Sequence, residues 1–76
     1  MNPDALYDAI EKLAREVVPP GKDQQEILKE VKRFRLSHPL RPPGKGLLAM
    51  VTTAGVEERY TASHQALVHD IAYHYA

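Results

Sequence analysis

Leu6, Ile10, Leu13 and Val17 recur at spacings of four, three and four, the interval that lines side chains along one face of an α-helix. Between them lie Asp8–Lys12 and Glu11–Arg15, acid-before-base pairs four apart that favour the same conformation. Asn2-Pro3-Asp4 supplies the start: an N-cap, a proline at the first helical position and an acid facing the positive end of the helix dipole. Val18-Pro19-Pro20-Gly21 supplies the stop, because each proline disfavours a helical conformation in the residue before it.

A second stripe, Ile27, Val31 and Phe34 with Leu28 on its flank, predicts another helix. Asp23-Gln24-Gln25-Glu26 has the form of a capping box at its start, and His38-Pro39 ends it near Leu36 or Ser37. Residues 37–46, with three prolines and two glycines, read as irregular chain. Pro-Pro-Gly-Lys occurs at 19–22 and again at 42–45, but the residues after the two copies have nothing in common, so both read as punctuation.

Beyond that loop the pattern changes. Leu47 to Thr53 and Val56 to Thr61 are rich in β-branched residues, and Val56, Glu58 and Tyr60 alternate with Glu57, Arg59 and Thr61. This predicts a hairpin about Ala54-Gly55, its register loosely set because the turn is neither Asn-Gly nor Asp-Gly. Leu67, Ile71 and Tyr75, with Val68 and Ala72 beside them, then predict a last helix capped by Thr61 or Ser63. The expected architecture is α+β, in the order helix, helix, strand, strand, helix. Its helices pack on a two-stranded antiparallel hairpin whose sheet oligomerisation could extend.

With 76 residues the chain suits one small domain, 1–76, and such a domain buries only about 60% of the surface its unfolded form exposes. Almost every periodic aliphatic side chain is then needed in the core. The absence of cysteine excludes disulfides, thiolate metal sites and a thiol nucleophile, and fits a cytoplasmic protein. The longest apolar run, Leu47 to Val51, is far short of the ~20 residues that span a bilayer, and nothing reads as a secretory leader or a membrane partner.

Ten basic and ten acidic residues cancel, but they are not evenly placed. Lys29, Lys32, Arg33, Arg35, Arg41 and Lys45 face only Glu30 between residues 29 and 45, while the first helix is acidic. Lys32, Arg33, Arg35, Arg41 and Lys45 are therefore the candidate anion- or partner-binding residues. The same cations also have structural uses, at the negative end of the second helix and as partners for the acidic first helix.

Other chemistry finds less support. His64, His69 and His74 are five apart, so on a helix successive rings point about 140° away from each other and cannot share a metal. Asp70 and His74 can pair, but one carboxylate and one imidazole make no metal site. Ser37-His38 and Ser63-His64 are neighbours in sequence without the opposed geometry of a nucleophile and its base. Glu57 and Glu58 would point to opposite sides of a strand. Gly44-Lys45-Gly46-Leu47 lacks the first glycine and the hydroxyl residue of a phosphate loop. No catalytic residue, metal or cofactor is assigned.

His64 through Tyr75, read as His-x-x-x-x-His-Asp-Ile-Ala-x-x-Tyr, resembles a helix of the small single-stranded nucleic-acid-binding domains named for an Arg-x-x-x-His signature. The signature arginine, four positions before the second histidine, is Gln65 here, and the resemblance is not adopted. The expectation is a non-catalytic interaction module that binds a protein partner or self-associates. Its alternative is a nucleic-acid-binding domain using residues 29–45, for which Tyr60, Tyr73 and Tyr75 are the candidate exposed stacking residues.

Overall fold

The computed structural model describes residues 2–38 and 41–74, and among them every regular element is helical. α1 is Pro3–Val17, α2 is Lys22–Ser37, α3 is Lys45–Ala54, a 3₁₀ turn occupies Glu57–Arg59, and α4 is Ala62–Tyr73. The expected α+β fold is thus corrected: no strand exists among the described residues, and with the hairpin goes any sheet for oligomerisation to extend.

α1 forms as its spacing predicts. The Asn2 side chain accepts from the Ala5 amide at 2.8 Å, and Leu6, Tyr7, Ile10, Leu13, Ala14 and Val17 are buried. Full burial of a single large aliphatic side chain such as Leu13 is worth about 1.5–3 kcal/mol, and α1 contributes the largest share of such residues. The helix stops at Val18, as the two prolines require, and its last carbonyls are not left bare. Gln24 Nε2 donates to the carbonyls of Val18 at 2.9 Å and Arg15 at 3.2 Å, and the Val56 amide donates to Val17 at 2.9 Å.

α2 runs to Ser37 and buries Ile27 and Val31, with Leu28 and Phe34 half-buried. Its start differs from the expected capping box. The N-cap is Gly21, at φ 146°, and Asp23 sits within the first turn without a side-chain capping bond. The turn out of Pro19-Pro20 needs a backbone conformation that only glycine adopts without strain, so chain reversal, not side-chain capping, fixes this boundary.

The hairpin segment is α3 followed by the 3₁₀ turn. Leu47, Leu48 and Val51 stand three and four apart and are buried together against α1 and α2, whereas a strand would turn Leu48 to the face opposite Leu47 and Val51. Thr52 fits the helix by donating its hydroxyl back to the Ala49 carbonyl at 3.1 Å. Packing of one apolar stripe overrides the β preference of Val51, Thr52 and Thr53. Beyond Gly55 the 3₁₀ turn exposes Glu57, Glu58 and Arg59 in succession and leaves Val56 and Tyr60 half-buried, which ends the expected alternation. Tyr60 donates to the Thr52 carbonyl at 3.1 Å, and its ring carbons would lie 2.9 Å from any Cβ on Gly55. α3 begins at Lys45, inside the stretch expected to be irregular, and Pro43 just before it is fully buried.

α4 is capped by Thr61, as expected, and packs on α1 and α3 in place of a hairpin. His64 completes the cap: the His64 amide donates to Thr61 Oγ1 at 3.3 Å, and the Thr61 amide donates to His64 Nδ1 at 3.1 Å. Ile71 is its one fully buried residue, Leu67, Val68 and Ala72 are half-buried, and Tyr75 lies outside the described residues. No described helix is long and apolar enough to cross a membrane.

Candidate functional site

The five basic candidates are carried by α2, the loop after it and the first residue of α3. Residues two apart on a helix diverge by about 200°, so Arg33 and Arg35 leave α2 on opposite sides. Arg35 turns to α1. Its guanidinium meets Asp8 at 2.7 Å, Asp4 at 3.4 Å and Glu11 at 3.9 Å, and lies 5.9 Å from the centre of the Tyr7 ring. The hydrogen bond that Arg35 donates to Asp8, ahead of the nearby charges, raises the Arg35 pKa further. Asp8 is thereby drawn across to α2, and Arg35 holds the acidic face of α1. Glu11 does keep the expected partner Arg15, at 4.0 Å.

Arg33 is tied to Glu30 on its own helix through both Nε, at 3.2 Å, and Nη2. The Arg33 bond holds the Glu30 carboxyl below the ordinary glutamate range, and the same bond raises Arg33. Lys32 lies on a third side, where it joins Lys29 and Arg15 around a hollow of about 320 Å³ between α1 and α2, with Leu28 and Glu11 also lining it. Arg41 and Lys45 are exposed, and neither makes an ion pair among the described residues. The candidates therefore do not form one basic edge. Arg15, outside the basic segment, and Lys29, part of that segment but not among the five candidates, share the hollow with Lys32.

The histidines disperse as their spacing implies. His64 Nε2 lies 2.7 Å from Glu16 Oε2, and because its Nδ1 accepts from Thr61, the proton between His64 and Glu16 sits on Nε2. His74 is 4.0 Å from Asp70, and His69 is exposed. Among the described residues no three His, Asp or Glu side chains converge as metal ligands would. Of the aromatic candidates, Tyr73 is 77% exposed and Tyr60 is half-buried and hydrogen-bonded.

A different feature emerges between α2 and α3. Asp23, Glu26, Ile27 and Glu30 line one side of α2, and Met50 and Ala54, four apart, face them from α3 around an open groove of about 360 Å³. A second hollow of about 210 Å³, walled by Val18, Pro19, Pro20, Gly21 and Lys22, shares Asp23 and Ala54 with the first. The two make one continuous trough from Glu30 to the α1–α2 turn. Its floor is apolar, and its rim carries three carboxylates on α2 and a single cation, Lys22, at one end.

Neither the family models, nor the curated proteins, nor the solved structures contain a match to this chain, so its functional reading rests on this geometry.

Proposed function

We propose that the chain is a non-catalytic protein-interaction module and that the trough between α2 and α3 is where its partner sits. The observation that carries this reading is an open groove between two packed helices, floored by half-buried Met50 and Ala54 beside the core residue Ile27. Leu36, 78% exposed near the end of α2, is a separate apolar exposure outside it. Ile27, Met50 and Ala54 are held by two helices packed on α1, so the surface is formed before a partner arrives. The nucleic-acid alternative has less support, because Arg33 and Arg35 are already matched by carboxylates of this chain. A cytoplasmic setting remains part of the proposal, on the cysteine-free composition alone.

The test compares wild type with Met50→Asn, both shown to be folded by circular dichroism, as affinity baits in extracts of the source organism. A protein retained by wild type and lost from the variant supports the reading when, purified, it also shifts the methyl resonances of Ile27 and Met50. Identical retained sets overturn it. Mobility shifts with single- and double-stranded oligonucleotides at low salt address the alternative. A shift removed by changing Lys32, Arg33 and Arg41 together to Glu would replace the protein-binding reading with the nucleic-acid one.

A further inference from the structure

We infer that the partner enters the trough as a short basic amphipathic helix, with aliphatic side chains on the floor and lysines or arginines against the α2 rim. This rests on the reading of the trough as a docking surface and adds the chemistry of the occupant. Three features select it. The floor offers Ile27 from α2 and Met50 and Ala54, one turn apart, from α3, an apolar groove between two helices of the kind that takes the apolar face of a docked helix. From Asp23 to Glu30 the rim advances seven residues, about 10 Å, or roughly two turns of a helix lying alongside. Asp23 and Glu26 leave the rim net negative beside the paired Glu30 and the single cation Lys22, which repels nucleic-acid phosphates and anionic lipid and attracts a cationic peptide.

The rim also has an internal order. Glu30 is already neutralised by Arg33, whereas Asp23 and Glu26 make no ion pair among the described residues. Asp23 and Glu26 should therefore receive the partner's cations, and Glu30 should contribute little. A merely acidic surface would not distinguish the three.

The probe is a synthetic helical peptide of about fifteen residues, leucines on one face and lysines elsewhere, with twins in which every lysine is glutamate or glutamine. Binding is followed by fluorescence anisotropy at low salt and by methyl resonances of Ile27 and Met50. The lysine peptide is expected to shift both methyls and to bind at least about tenfold more tightly than the glutamate twin, with the difference shrinking as salt rises. Asp23→Asn with Glu26→Gln should weaken it about tenfold, and Glu30→Gln should leave it near wild type.

Equal binding of the three peptides at the trough, or an effect of Glu30→Gln as large as that of the double variant, would overturn the basic partner while sparing the docking surface. Binding that moves only residues outside the trough would overturn it too. If no peptide moves either methyl, the docking surface itself falls. If the same methyls shift when the protein alone is concentrated, the occupant is a second copy of this chain and the inference is wrong.

Discussion

Burial of Tyr7 puts a phenol hydroxyl inside the core with no hydrogen-bond partner among the described residues. Burial raises its pKa, and the nearby Arg35 pulls more weakly in the opposite direction; burial raises Tyr60 as well. Unfolded, both phenols ionise near ~10; folded, they hold their protons to higher pH. Above that ordinary value the unfolded chain binds fewer protons, so stability is full below it and declines as pH climbs through the raised values. Tyr7→Phe should be neutral or stabilising by up to about 1 kcal/mol at neutral pH, since a bare buried donor is removed. It should also flatten the alkaline decline, as read from urea midpoints between about pH 8 and about pH 11. Two glycines matter for different reasons. Gly21→Ala strains the backbone at φ 146° and should cost about 1–3 kcal/mol. Gly55→Ala has an ordinary φ of −67° but drives a methyl group into the Tyr60 ring, with a loss of about 1–3 kcal/mol. Tyr60→Ala in the Gly55→Ala background separates the two: the added loss from the glycine change should vanish there, whereas that of Gly21→Ala should persist.

For single elements, α1, α2 and α4 were legible because each repeats its apolar residues at three and four over several turns. α3 was not. Its stripe is short, and Leu47-Leu48-Ala49-Met50-Val51 is apolar on every side, so spacing alone does not separate a helix from a buried strand. Signals in favour of the helix were present in Gly44 before it, Gly55 after it, and Met50 and Ala54 four apart. The trough was hidden for the same reason, since the expected hairpin placed Ala54 in its turn and not on one element with Met50. The basic candidates were legible as charges but not all as directions: the Arg33–Glu30 pair, three apart on one helix, follows from spacing alone, whereas only the packing of α2 on α1 turns Arg35 to Asp8. α4 rests on one fully buried side chain and its cap, so each should weigh heavily. Ile71→Ala should cost about 2–4 kcal/mol and Thr61→Ala about 1 kcal/mol in thermal or urea unfolding.

Across the whole molecule α1 is the common neighbour. It packs against α2, α3, α4 and the 3₁₀ turn, while α2 and α4 share no contact. Local stability should track that arrangement. Native-state hydrogen exchange is expected to find the slowest amides in the middle of α1, around Ile10 to Ala14, and the fastest helical amides in α4. Comparable protection in the two helices would contradict it. Salt should act on the seam between α1 and α2, where Arg35 meets Asp8, Asp4 and Glu11 with its side chain only 28% exposed. Because α2 and α4 never meet, whatever loads the trough can reach α4 only by way of α1 or α3. A dye attached at the exposed Tyr73 would therefore report from α4, a helix that does not line the trough. Any change in its signal on peptide addition would be news relayed through the middle helices.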